Sequence, residues 1–390
     1  MTDTLRVRDR WVMGNEARAL VLITSVLLAF GLATLYSASA IVAMNDGHAG
    51  WYYAARQSVG ALASIVVFMI LAKVDAQRLE KIARPLMVLA ILMMLVTVLP
   101  FTESIAPRVH GSRRFILGTA LQPSEFGKMA VIIWTSELLV RKGEEGMRRL
   151  TKGLLPFMAV VGLLDALAIL EPDFSVAVMY TLVMAIILFA GGVRIGHFVA
   201  LGVIAIPVLW HYMLRLQYAI MRVFSFLDAD KAPAELSYQL RQSLIAVGSG
   251  GILGRGFGQG RQQYGYVPMG FNDFIGATIG EEWGFLGMTA LVIAYAVYTW
   301  LGIRISRQAR SPFLQLVALG CTFTTSITAY LHIGVAIGLL PTTGLTLPFI
   351  SYGRTNLLVT FVMTGILVNI GSTKERVFNA AATDPLMATA

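Results

Sequence analysis

Ala19–Ala43 reads ALVLITSVLLAFGLATLYSASAIVA, 25 residues without a charge. A helix that crosses the hydrocarbon core of a bilayer needs about 20 such residues. The run is too long for the apolar region of a secretory leader, and no small-residue cleavage site follows it. It is expected to stay in place as a first membrane span.

The pattern recurs. Candidate spans fall at 17–43, 53–73, 84–100, 121–140, 153–170, 174–191, 196–214, 284–303, 313–339 and 349–371. The expected fold class is therefore an all-α polytopic membrane protein of about ten transmembrane helices. Composition agrees: 56% of residues are hydrophobic and 14% charged, with mean hydropathy +0.70. A soluble domain carries about 25% charged residues, so an ordinary soluble enzyme is excluded. The net charge of +9 fits contact with anionic membrane lipid. No basic patch is interleaved with aromatics, so no nucleic-acid partner is expected. Cys321 is the single cysteine, which rules out an internal disulfide.

An even number of spans puts both ends on one side, and charge says which. The N-terminal tail, the connections 2–3, 4–5 and 8–9, Arg194 and the C-terminal tail hold 19 of the 31 lysines and arginines. Positively charged connections stay in the cytoplasm. The reading is a bacterial cytoplasmic (inner) membrane protein, multi-pass, with both termini cytoplasmic. Residues 1–16 and 372–390 are tails around a transmembrane domain at 17–371. A long outer loop, about 215–283, joins helices 7 and 8. Its segment 215–247 has amphipathic pieces, expected as short helices lying in the outer interface.

That loop ends in Gly248–Gly284, GSGGILGRGFGQGRQQYGYVPMGFNDFIGATIGEEWG, where glycine, aromatics and charge concentrate. Asp273 is the candidate general base, a carboxylate at the mouth of a membrane-embedded cavity. The acidic pair Glu281-Glu282 falls where the next span resumes. Gly254–Gly260 resembles a phosphate loop only superficially, because no βαβ unit surrounds it. Glycines there permit tight turns and close backbone approach.

Other polar residues carry two readings each. Glu125 and Lys128, in Gln122-Pro-Ser-Glu-Phe-Gly-Lys128, lie three apart on one helix face; they mark either function or a structural ion pair within the membrane. Arg114, in Gly111-Ser-Arg-Arg-Phe115, suits bidentate contact with pyrophosphate oxygens, or headgroups. Asp173, in Glu171-Pro-Asp-Phe174, is a site residue or a helix cap. Asp165 reads as a buried polar contact, Glu137 and Arg141 as a surface pair, and His332 as a lone packing histidine. No His/Cys set has metal-ligand spacing, and no Ser-His-Asp arrangement can be argued. Pro341–Gly353, with two prolines and several hydroxyls, cannot continue a lipid-facing helix and is expected to wall a cavity.

In combination these segments resemble the SEDS family (shape, elongation, division and sporulation) over nearly the whole chain. The match runs through Leu35-Tyr-Ser-Ala-Ser39, Gly111–Phe115, Gln122–Lys128, Glu171–Phe174, and Tyr238-Gln with Gln242–Gly251. It continues through Asn272-Asp-Phe274 with Gly280-Glu-Glu282, and Leu339–Gly344 through Ser351-Tyr-Gly353. The resemblance implies an inverting peptidoglycan glycosyltransferase that polymerises lipid II into a nascent glycan strand and releases undecaprenyl pyrophosphate. It places the family's essential aspartate on Asp273, its span-four acid and base on Glu125 and Lys128, and its outer arginine on Arg114. Asp173, Gln242 and Ser351, each inside a matched motif, complete the candidate substrate-binding set. No cofactor is firmly implied; a divalent cation (Mg or Mn) sharing the leaving-group task with Asp273 stays open. The implied partners are a class B penicillin-binding protein (transpeptidase) and other divisome membrane proteins. Thr342–Pro348 and Ser39–Ala43 lean toward the division-type branch.

The chain departs from the family pattern at Arg354-Thr-Asn356, where Gly-Ser-Ser is usual. It departs again at His332, where asparagine is common, and at Met269–Asn272. A lipid II flippase and an elongation-type polymerase are the alternatives. A transporter would keep its key acids near the bilayer midplane, whereas here they cluster at the outer edge. A scaffold for the transpeptidase is the third reading, through small-residue helix faces.

Overall fold

The computed structural model describes residues 7–107, 112–116, 121–147, 153–199, 202–203, 226, 234–266 and 270–378. Among the described residues, ten long helices carry the fold: α1 Asn15–Asn45, α2 Tyr52–Leu71, α3 Leu79–Val98, α4 Pro123–Met147 and α5 Leu155–Leu170. They continue with α6 Phe174–Ala190, α7 Ala234–Gly250, α8 Ile275–Arg307, α9 Pro312–Ala336 and α10 Arg354–Ile370. Five stretches (α1, α2, α8, α9 and Ala76–Val98, which includes α3) are long and apolar enough to cross a bilayer, and α5, α6 and α10 are shorter apolar helices. Nine of the ten expected spans thus coincide with helices. The seventh, 196–214, falls largely outside the described residues.

Local chemistry sets the helix ends. Ser311 accepts from Leu314 N at 3.3 Å, with Pro312 in the first helical position, the combination that starts a helix. Inside the bundle, α2 packs on α10, α8 on α1 and α9, α3 on α4, and α5 on α6. Helices α4, α9 and α10 form the interior, where α4 is buried without a break from Met129 to Leu139. The hydroxyls of Thr322, Thr324, Thr325, Ser326 and Thr328 donate to carbonyls one turn back in α9. Polar side chains inside apolar surroundings are satisfied this way. By contrast, α1 and α2 turn Leu22, Val59 and Leu62 outward. Among lipid tails, apolar exposure costs nothing, so packing of small and complementary surfaces holds helices together.

Three expectations change. First, α8 begins at Ile275 rather than 284. Glu281 and Glu282 therefore sit within the helix, each 1% exposed, and Gly284 with φ 63° kinks it. Second, the described part of the long loop packs one face against the bundle, while Leu244, Ile245, Ile252 and Leu253 stay exposed. Ser243 Oγ donates to Ala336 O at 2.7 Å, and Ala246 packs with Phe274, Ala277 and Val335. Further along, Phe285 N donates to Gly251 O at 2.9 Å and Leu286 N to Ile252 O at 3.1 Å. The end of α7 and the turn after it thus run beside the first part of α8. The chain then turns back, with Arg255 N and Gly256 N donating to the carbonyls of Glu281 and Glu282 at 3.0 Å. Irregular backbone at this depth is tolerated because protein groups satisfy it. Most of 215–233 lies outside the described residues.

Third, segments at the two ends of the chain pair as short strands beside the helical bundle. Strand β1, Val7–Met13, pairs antiparallel with β2, Ser372–Phe378, in the register Val7↔Phe378 to Met13↔Ser372. The pairing is continued by Gly14 N, which donates to Gly371 O at 3.1 Å. Both chain ends share one end of the bundle.

Candidate active site

Asp273 lies in the turn just ahead of α8, half-buried between two anchored aromatics, Phe271 and Phe274. Phe271 O accepts from Tyr352 N at 3.1 Å, and its ring stands 4.9 Å from Tyr53 and 5.8 Å from Tyr352. Phe274 is held in the Ala246 cluster. Anchors on both sides leave the intervening carboxylate little freedom to wander. Gly344, with φ 72°, backs onto it: a β-carbon there would lie 3.9 Å from Asp273 Oδ2. A side chain at that position would fill space beside the carboxylate and strain a left-handed backbone.

A second group is built on Arg114. Its Nε donates to Glu171 O at 3.1 Å, its Nη2 to Pro172 O at 2.5 Å, and its Nη1 lies 3.5 Å from Asp173 Oδ2. Asp173 Oδ1 accepts from Val176 N at 3.4 Å, so this residue caps α6 as well as facing Arg114. Burial pushes the Asp173 carboxyl up, opposed by Arg114 and, from further away, Lys128. Burial likewise raises the Glu171 carboxyl, against a hydrogen bond from Thr97.

The third group is the span-four pair. Lys128 Nζ lies 2.7 Å from Glu125 Oε1, and Asn356 Nδ2 donates to Glu125 Oε2 at 3.1 Å. Glu125 is 5% exposed and Lys128 2%. The pair is closed and satisfied, as a buried ion pair must be to persist. Gln122 N donates to Thr355 Oγ1 at 3.2 Å, tying the start of α4 to that of α10. Tyr180 OH donates to Ser124 O at 2.6 Å, tying it to α6.

The 341–353 linker joins these groups. Ser175 Oγ, two residues past Asp173, donates to Thr343 O at 2.5 Å, and the next residue is Gly344 beside Asp273. Gln57 on α2 clamps the far end, donating to Ser351 O at 3.1 Å and accepting from Gly353 N at 3.2 Å. Ser351 is 4% exposed, and its Oγ accepts from Leu347 N at 2.8 Å. The hydroxyl serves its own turn rather than an open face. Gln242 is half-buried on α7, one turn before Ala246. Asp165 Oδ2 accepts from Thr181 at 2.7 Å, the expected polar contact between α5 and α6. Glu137 pairs with Arg141 at 3.6 Å and also with Arg84 at 3.4 Å.

Residues 18–376 match the profile of the cell cycle protein family that comprises FtsW, RodA and SpoVE. The chain belongs to this family, the SEDS proteins. Among curated relatives, the probable peptidoglycan glycosyltransferase FtsW of Trichlorobacter lovleyi is 34% identical over 355 residues, covering 90% of this chain and 92% of that one. Stage V sporulation protein E of Bacillus subtilis is 33% identical over 353 residues, covering 90% and 95%. The fold is shared with a chain of a peptidoglycan synthase complex that coordinates polymerization and crosslinking, at TM-score 0.75 and 23% identity, covering 91% and 97%. It is also shared with the rod shape determining protein RodA of Thermus thermophilus, at TM-score 0.65 and 21% identity, covering 90% and 95%.

Sequence reasoning about this SEDS chain missed three contributors to the site. Gln57 was hidden in an apolar span, although a lone amide there is itself a signal of a partner. In the sequence Asn356 stands out only as a departure from the family pattern, yet it holds Glu125. Ser175 carried no signal at all, because its role is a single bond to a carbonyl distant in sequence.

Proposed function

We propose that this SEDS protein is a lipid II polymerase of the division type, acting by inverting glycosyl transfer. The observation that carries the reading is the half-exposed Asp273 carboxylate, anchored on both sides and walled by Gly344, one linker away from the Arg114–Asp173 cluster. Asp273 takes the proton from the 4-hydroxyl of the acceptor sugar as that oxygen attacks the anomeric carbon of the lipid-linked donor. The bond to undecaprenyl pyrophosphate breaks, and the configuration at that carbon inverts. General-base catalysis of this kind contributes about 10²–10⁴-fold. Arg114, 28% exposed at its side chain, supplies positive charge toward the leaving pyrophosphate. Lys128 is enclosed with Glu125, so its contribution is through the field rather than by contact.

Among the described residues no three His, Cys, Asp or Glu side chains form a metal-binding group. A divalent cation, Mg or Mn, would therefore rest on Asp273 together with pyrophosphate oxygens and water, the arrangement Mg²⁺ commonly adopts. Such an ion would neutralise charge on the leaving group.

The paired terminal strands and the basic bias of one set of connections support a topology with both termini cytoplasmic and Asp273 at the opposite face. A class B penicillin-binding protein is the proposed partner, in keeping with the peptidoglycan synthase complex whose chain shares this fold. Other divisome proteins would bring the pair to the septum.

The test is a gel assay of glycan product from lipid II, using the protein with its transpeptidase partner in phospholipid nanodiscs. Wild type should make polymer and Asp273→Ala should not. Full polymerisation by Asp273→Ala would remove the base assignment. Transfer of labelled lipid II across vesicles without any glycan product would replace the enzyme by a flippase.

A further inference from the structure

His332, near the end of α9, is 1% exposed and uses both ring nitrogens. Nδ1 lies 2.8 Å from Leu345 O. A carbonyl only accepts, so Nδ1 carries the hydrogen. Nε2 then offers a lone pair, and it accepts from Gly276 N at 3.2 Å. The bonding partners thus select the neutral imidazole with its proton on Nδ1.

Both partners flank the proposed base. Gly276 is three residues past Asp273, in the first turn of α8, where a backbone N–H has no acceptor within its own helix. Leu345 adjoins Gly344, whose bare face is turned to Asp273 Oδ2. Gly276 also has to be glycine for the start of α8 to pack this closely on α9 at Ala336. A β-carbon there would stand 2.9 Å from Ala336 Cβ and 3.5 Å from His332 Nε2.

We propose that His332 is a positioning residue for Asp273: one donor and one acceptor on a rigid ring that hold the two backbone segments beside the carboxylate at a set separation. The proposal rests on the assignment of Asp273 as the base. A residue that merely filled volume would need neither nitrogen. An asparagine amide carries the same pairing, one donor and one acceptor, whereas leucine keeps the bulk and loses both bonds.

The test compares wild type, His332→Asn, His332→Leu, His332→Ala and Asp273→Ala in nanodiscs with the transpeptidase partner. Polymerisation is measured over a range of lipid II concentrations, and folding by thermal unfolding. His332→Asn should keep most of the wild-type kcat. Folded His332→Leu should lose on the order of 10²-fold in kcat with KM unchanged, the size of effect a misplaced catalytic group produces. If the leucine variant does not fold, His332→Ala is judged by the same criterion. The clamp is overturned if the folded apolar variant has wild-type kcat, if its loss lies in KM alone, or if His332→Asn is equally impaired. Asp273→Ala separates the two ideas. Its inactivity beside a fully active His332→Leu removes the clamp only, while activity of Asp273→Ala removes the base and the clamp's purpose with it.

Discussion

At the scale of single residues, the site divides into groups that can meet a substrate and groups that cannot. Asp273 is half-exposed, while Glu125 and Lys128 are closed on each other and on Asn356. Asp273→Asn keeps the shape of the side chain and removes its basicity. Polymerisation should fall by about 10²–10⁴-fold while lipid II binding holds, as single-turnover assays and binding titrations would report. Asn356→Leu strips Glu125 of a hydrogen bond inside the bundle. A lost bond to a buried charged group costs about 2 kcal/mol, so its thermal midpoint should drop well below that of wild type. An unchanged midpoint would mean that the Glu125–Lys128 pair needs no third partner.

Elements matter through their junctions. The turn before α8 and the 341–353 linker are irregular, yet each is tied down by named bonds: Tyr352 N to Phe271 O, Ser175 Oγ to Thr343 O, and Gln57 to residues 351 and 353. Gly276→Ala should destabilise by about 1–3 kcal/mol through overpacking against Ala336, and should lower polymerisation further by shifting Asp273. A folded, fully active alanine variant would show that the start of α8 has slack. Glu171, at the α5–α6 turn, offers a test by pH. Burial raises its carboxyl above the ordinary glutamate value, so the folded state binds a proton that the unfolded state releases first. Its contribution to stability is complete below the ordinary glutamate range and is lost as pH rises toward the raised value. Glu171→Gln should flatten that decline, seen as a smaller drop in thermal midpoint between mildly acidic and mildly alkaline buffer. An identical slope in the two proteins would mean that Glu171 is ionised when folded.

For the whole molecule, the pairing of β1 with β2 closes the chain on itself at the end opposite Asp273. Cysteines placed at Asp9 and Arg376, which face each other in the ladder, should form a disulfide on mild oxidation. Native Cys321 is buried and gives little background. The product would be a closed loop with altered mobility on a non-reducing gel. Labelling of either cysteine by a membrane-impermeant reagent in intact cells would contradict the cytoplasmic assignment of both ends.

Much of this was legible without coordinates. Apolar runs of span length, arginine- and lysine-rich connections, and the motifs around Asp273, Glu125 and Arg114 determined the membrane class, the order of the spans and the family. The first two are properties of composition and local periodicity, which a bilayer reads residue by residue; the family came from the resemblance that the motifs carry. Tertiary structure alone decided the rest. It packed one face of α7 and the turn after it against α8 and took Glu281 and Glu282 inside that helix. It also turned the Ser351 hydroxyl inward and set His332 between Gly276 and Leu345. Each of those outcomes depends on a backbone donor or acceptor far away in sequence, and every residue type carries the same peptide group. No pattern of side chains can announce which N–H will meet which carbonyl; packing of the helices chooses that.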